Sequence, residues 1–215
     1  MSIRSLLFAV GMSLGLLAVA PAQAEDLAPD VLVKKVTDEV LTVVRNDKEL
    51  QSGNTKRAID LVDAKVLPHF NFNRMTALAL GREWKKASPD QQKQLAHEFK
   101  TLLVRTYANA LTAYKEQTVE YKPFKMQASD TDVVVRTQIN QPGGKPITLD
   151  YSLEKQPEGW KVFDVVVAGV SLVTNYRESF AQEIRANGID GLIKVLMTKN
   201  KTLEPNVAAK GADKK

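Results

Sequence analysis

From Asp30 onward, apolar residues return at intervals of three and four. Val33, Val36, Val40, Leu41 and Val44 are separated by Lys34, Lys35, Asp38 and Glu39. This spacing draws one apolar stripe along a helix, and Asp30 is placed to cap its start. The polar stretch 46–54 breaks near Gly53. A second helix is predicted from Asn54 to Leu67, with Ala58, Ile59, Val62 and Val66 on one side. Pro68 ends it, because the residue before a proline is pushed out of the helical region. After an aromatic connector, His69 to Asn73, the residues Met75, Leu78, Ala79 and Leu80 predict a short helix stopped by Gly81. Ser88-Pro89 starts the longest predicted helix, Pro89 to Tyr114, with Leu95, Phe99, Leu103, Tyr107, Leu111 and Tyr114 on one stripe.

The period then falls to two. Val119 and Tyr121 alternate with Glu120 and Lys122. Val133, Val135, Thr137 and Ile139 alternate with Asp132, Val134, Arg136 and Gln138, and Ile147, Leu149, Tyr151 and Leu153 continue the pattern after a Pro-Gly-Gly turn. A fourth run, Trp160 to Val167, is apolar on both faces except at Lys161 and Asp164. Short turns between such runs predict an antiparallel meander. A helix carrying Leu172, Val173, Tyr176, Phe180 and Ile184 follows, ended by Gly188, and then a last one with Leu192, Ile193, Leu196 and Met197. Helices, a meander and helices again make an α+β fold, with a four-stranded antiparallel sheet covered by helices.

The N-terminus changes where this fold is expected to work. Arg4, the apolar run Leu6 to Val19, and Ala22-Gln23-Ala24 before Glu25 have the layout of a cleaved secretory signal peptide. The apolar run is short of the roughly 20 residues that a spanning helix needs. Three segments follow: a leader over 1–24, one α+β domain over 25–204 and a tail over 205–215, in a protein expected to be exported. The net charge of +5 would by itself suggest a nucleic-acid partner. Arg4 leaves with the leader, however, and Lys210, Lys214 and Lys215 lie in the tail, so the folded body is closer to neutral. With no cysteine, the chain has no disulfide and no thiolate nucleophile, and it holds only two histidines, His69 and His97. Metal centres rich in His or Cys are excluded.

The chain carries no His-Glu-x-x-His pair, no Gly-x-Ser-x-Gly turn, no phosphate-binding glycine loop and no dinucleotide fingerprint. His97 lies off the apolar stripe of its helix, as a solvated residue would, and His69 sits in a connector. Asp164 is the one acid in an otherwise apolar strand. It reads either as a hydrogen-bonded structural acid or as the base of a pocket enzyme. The apolar inventory likewise reads either as solid core or as the wall of a cavity between sheet and helices.

Three blocks and a closing segment resemble the MlaC family of periplasmic phospholipid-binding proteins, also called the toluene-tolerance auxiliary family. The first is Phe72-Asn73-Arg74-Met75 with Ala77-Leu78 and Leu80-Gly81-x-x-Trp84. The second is Ala87-Ser88-Pro89-x-Gln91, then Phe99-x-x-Leu102-Leu103-x-x-Thr106-Tyr107-Ala108. The third is Trp160-Lys161-Val162-Phe163-Asp164-Val165, then Gly169-Val170-Ser171-Leu172-Val173-x-Asn175-Tyr176-Arg177-x-Ser179-Phe180, and Gly188-Ile189-Asp190-Gly191-Leu192-Ile193 closes the series.

The resemblance implies an NTF2-like-related sheet with an added N-terminal helical lobe. It implies a non-enzymatic carrier of glycerophospholipid between the outer and inner membranes. The implied partners are an outer-membrane MlaA-type lipoprotein and an inner-membrane MlaD-type ring of an ABC transporter. No cofactor beyond the lipid cargo and no nucleic acid are expected, and a monomer is the default. The acyl tails are expected to enter between sheet and helices. Met75, Leu78, Leu80, Leu103, Tyr107 and Leu111 would line the pocket from the helices. Val133, Val135, Ile147, Leu149 and Tyr151 would line it from the sheet, and Val167, Val170, Leu172 and Tyr176 from the sheet's C-terminal junction. Arg177 is a candidate for a phosphate contact or an ion pair. The rivals are an NTF2-like enzyme with Asp164 as base, and an interaction module without lipid.

Overall fold

A computed structural model describes residues 27–205, so the leader, and the tail beyond Pro205, lie outside the described residues. Helix α1, Pro29–Asn46, begins with a proline in its first turn. Ala28 holds the cap position, and Asp30 lies in the first turn, where its charge opposes the positive helix end. Asp47 then caps α2, Lys48–Gln51, by accepting from the N–H groups of Glu49 and Leu50. No apolar period marks α2, because four residues cannot show one. Asn54 caps α3, Thr55–Lys65, and a 3₁₀ turn over Leu67–His69 absorbs Pro68.

Asn71 caps α4, Phe72–Leu80, which ends at Gly81 with φ 59°. Helix α5, Pro89–Tyr107, opens on a reciprocal capping box between Ser88 and Gln91. It stops short of the predicted Tyr114. The N–H of Leu111 bonds to the carbonyl of Ala108, three residues back, and a separate turn, α6, spans Asn109–Thr112. This tightening takes Leu111 and Tyr114 off the α5 stripe.

The sheet is an antiparallel meander of five strands in chain order: β1 Thr118–Tyr121, β2 Asp132–Asn140, β3 Ile147–Gln156, β4 Gly159–Val167 and β5 Val170–Ser171. The fifth strand corrects the expectation of four. It has two residues, too few to show alternation. Register places Val135 opposite Tyr151, Thr137 opposite Leu149, and Tyr151 opposite Val165. An irregularity at Ser152/Leu153 then pairs Leu153 with Val162. The extra residue in β4 lets Val162 and Val165, three apart, join the same buried cluster, while Phe163 packs against a different one.

Helix α7, Arg177–Thr202, carries a break at Gly188, where φ is 71° and ψ −177°, so the predicted stop is a kink. Three apolar clusters result. One joins α4, α5 and α7 around Phe99, Leu95, Leu102 and Leu196. A second gathers α1, α2, α3 and α6 around Val44, Leu50 and Ala58. The third is the layer between α1 and the sheet, with Leu32, Val33, Val135, Leu153, Val162 and Val165.

Candidate functional site

Between α1 and the sheet lies a cavity of about 300 Å³. Helix α1 supplies Leu32, Val33, Val36, Thr37, Val40 and Leu41, and the end of α3 with its 3₁₀ turn supplies Val66, His69 and Phe70. Ala110, Leu111 and Tyr114 close one side. Val119, Thr137, Ile139, Leu149, Tyr151 and Val162 form the wall of strands. The alternation of β2 and β3 brings Thr137, Ile139, Leu149 and Tyr151 to one face, and the helical spacing of α1 brings Val33, Val36, Val40 and Leu41 opposite them.

The few polar atoms of the wall are occupied by the protein itself. Thr137 Oγ1 donates to the Leu149 carbonyl at 3.1 Å. The Tyr114 hydroxyl accepts from Arg45 Nη2 at 2.9 Å and donates to the Gln117 carbonyl. The Tyr151 hydroxyl is in hydrogen-bonding reach of Thr137 and Thr37, and burial pushes its pKa up, so it stays a neutral phenol. His69 differs: its imidazole has no hydrogen-bond partner among the described residues. Burial, then the charge of Lys161, holds its pKa below the ordinary 6.5. A wall of this kind offers apolar contact and shape, with no nucleophile next to a base.

Of the expected pocket residues, Leu111, Leu149 and Tyr151 line this cavity. Val133, Val167 and Leu172 pack beside it, Val135 is buried in the same layer, and Ile147 pairs with the lining Ile139. Met75, Leu80 and Leu103 are buried instead in the cluster of α4, α5 and α7, against which Leu78 and Tyr176 pack. Tyr107 is 40% exposed and Val170 53% exposed. The reason is the pairing of helices. Helices α4 and α5 turn their stripes toward α7, leaving α1 as the long helix that covers the cavity face of the strands. The α1 stripe was visible in the sequence, but periodicity says only that a face is buried, not against what. The wall at His69 and Phe70, in the connector after Pro68, had no such signal.

Two polar candidates have other work. Asp164 accepts from Ser171 Oγ at 2.6 Å and from the Val173 N–H at 3.3 Å, and so pins the turn after β5, outside the cavity wall. Arg177 donates through Nε and Nη2 to the Leu78 carbonyl at 3.2 and 2.9 Å, near the end of α4.

The family model described as MlaC protein matches residues 34–198. The chain belongs to the MlaC family. Its similarity extends to the intermembrane phospholipid transport system binding protein MlaC of Haemophilus influenzae, 29% identical over 173 residues, 78% of this chain and 80% of that one. The toluene tolerance protein ttg2D of Pseudomonas putida is 26% identical over 163 residues, 75% of each chain. A solved phospholipid-binding protein from Ralstonia solanacearum, in complex with a phospholipid, superposes with a TM-score of 0.77 at 43% identity. The match covers 83% of this chain and all of that one. The MlaC match spans every wall of the cavity except its first two α1 residues, Leu32 and Val33. Among the described residues, no helix is long and apolar enough to cross a membrane.

Proposed function

We propose that this protein binds a glycerophospholipid and carries it across the periplasm between the two membranes, its acyl tails in the cavity between α1 and the sheet. The observation that carries the reading is the cavity itself, whose wall is apolar and whose polar side chains, His69 apart, are satisfied within the protein. Its size lies at the lower end of the ~300–1,000 Å³ range of small-ligand pockets. Similarity to a phospholipid-bound protein supports the choice of ligand. Two tails of about fifteen methylenes each would cost roughly 24 kcal/mol to expose, at ~0.8 kcal/mol per methylene. Spontaneous escape from a bilayer is correspondingly slow, and a carrier accelerates transfer by covering the tails. Export after Ala24, an MlaA-type lipoprotein as one docking partner and an MlaD-type transporter ring as the other complete the proposal.

Native mass spectrometry of the exported protein, with organic extraction, tests it. Phospholipid at about one per protein is expected in the wild type, and its loss is expected in Leu149→Lys, which puts an ammonium into the wall. A folded, lipid-free wild type, or full loading of the folded variant, would sink the reading.

A further inference from the structure

The edges of the cavity differ in what their cations are doing. Beside Tyr114, Arg45 is spent: it donates to the phenol oxygen and lies over the ring, 5.7 Å from its centroid. On the β1 flank, Lys34 is paired with Asp38 at 2.6 Å and sits 4.8 Å from the Tyr121 ring centroid. The edge at the 3₁₀ turn is different. His69 lines the cavity there, half-buried and with its ring nitrogens unpartnered among the described residues. Two ammonium groups, Lys161 from β4 and Lys35 from α1, act on it electrostatically. Lys161 Nζ donates to the Pro68 carbonyl at 2.7 Å, which fixes it beside the turn and leaves further donors on its ammonium. Lys35 is exposed and pairs with no carboxylate among the described residues. The one nearby acid acting on His69, Glu39 on α1, is compensated by Lys65 of α3 at 3.1 Å.

Positive charge and an open imidazole thus border an apolar cavity, an amphipathic arrangement that suits an anion with a hydrocarbon attached. We infer that this rim binds a phosphate group, with Lys35 and Lys161 supplying charge and His69 a hydrogen bond. Its source is the headgroup of the lipid whose tails fill the cavity. The assignment rests on the carrier reading for that source. It also moves the phosphate away from Arg177, whose guanidinium serves the Leu78 carbonyl. An arriving phosphate would favour the imidazolium and raise the His69 pKa.

With two histidines in the chain and His97 exposed on α5, each ring can be followed by NMR, His97 serving as an internal control. The exported protein is compared when lipid-free, when loaded with phosphatidylglycerol, when loaded with the matching diacylglycerol, and with inorganic phosphate added to the lipid-free form. Phosphatidylglycerol should raise the His69 pKa by about one unit, diacylglycerol should not, and His97 should stay put. The double variant K35Q/K161Q should lose the difference between the two lipids. An equal response to diacylglycerol, or no response to either phosphate-bearing ligand, overturns the site. A response to inorganic phosphate with none to bound phosphatidylglycerol overturns the headgroup as its source. If neither lipid loads, the carrier reading fails instead, while the inorganic-phosphate arm still reads the rim.

Discussion

The cluster of α4, α5 and α7 and the layer between α1 and the sheet are both built from apolar side chains, yet one is closed and the other is hollow. In the first, Phe99 meets Tyr176 and Phe180 edge-on, with ring centroids 5.2 and 5.3 Å away, and Leu95, Leu102 and Met75 are almost wholly covered. Across the second, α1 presents Val33, Val36 and Val40, and the facing strand positions include Thr137 and Leu149. Short β-branched side chains do not reach across the gap, whereas long aromatic ones interdigitate. Hydrophobicity buries both layers, and the hollow one stays open beside the valines of α1 even though Phe70, Tyr114 and Tyr151 also line it. Polar contacts reinforce the closed half. Asn200 of α7 donates to the carbonyl and carboxylate of Glu98 on α5, at 3.0 and 2.7 Å.

The largest way to test this contrast is to hollow out the closed half. Phe99→Ala should cost about 3–5 kcal/mol, the usual price of deleting a buried aromatic ring. It should do so whether or not lipid is bound, since Phe99 lies outside the cavity wall. Urea unfolding of lipid-free and lipid-loaded protein measures both. A loss below about 1 kcal/mol would show that the two halves are equally loose.

A smaller effect is expected at the joint between the halves. Arg74, on α4, reaches across to the sheet: Nη1 donates to Glu154 and Nη2 to Asp132 at 2.6 Å, and its guanidinium lies 3.7 Å from the Phe163 ring centroid. Asn71 adds a second donor to Glu154 at 2.7 Å. Arg74→Ala strands the carboxylate of Glu154, a residue only 8% exposed, with Asn71 as its remaining partner. Because Arg74 itself is partly solvated, the expected loss is about 2 kcal/mol, below the ~3–5 kcal/mol of a fully buried pair. Glu154→Gln should recover part of it in the double variant. Additive single and double losses would show that the pair carries no coupling.

How far the sequence anticipated this contrast depends on what each kind of pattern reports. The meander was legible because alternation has a period and β2 and β3 are long enough to show it. The Ser88-Pro89 start of α5 was legible because cap chemistry is local. Strand β5 and helix α2 were too short to carry a period. Met75, Leu80 and Leu103 lie in the cluster with α7 and away from the cavity, a placement that periodicity does not show, since an apolar helical face looks the same whether it meets α7 or a cavity. Resemblance to the family supplied the expectation of a pocket, while the position of α1 over a cavity against the sheet is tertiary information. His69 was read as a connector residue because nothing in its neighbours signals that Val66 to Phe70 folds back beside Val162, where Phe70 makes a parallel bridge.

Filling the hollow half should change binding more than stability. Val36→Phe puts a ring into space that valine leaves open. Its stability is expected to stay within about 1 kcal/mol of wild type, since filling a void and mild overpacking oppose each other. Phospholipid recovered by extraction should fall several-fold. Unchanged loading together with a large destabilisation would mean that the layer is as tightly packed as the helical cluster, and the contrast would be lost.

The smallest expected effect is a dependence on pH confined to the hollow half. In the lipid-free protein, burial and Lys161 depress the His69 pKa below 6.5, so the unfolded chain takes up this proton more readily than the folded one. Where the unfolded state binds more protons, stability rises with pH. The contribution of His69 is therefore constant above its unfolded value and is lost as pH falls from about 6.5 through the depressed folded value. His69→Gln should flatten the stability profile in that window, measured as the difference from wild type in urea midpoints. A profile that His69→Gln leaves unchanged would show that His69 is well solvated, and that the cavity edge it borders is no more enclosed than the outer surface of the closed half.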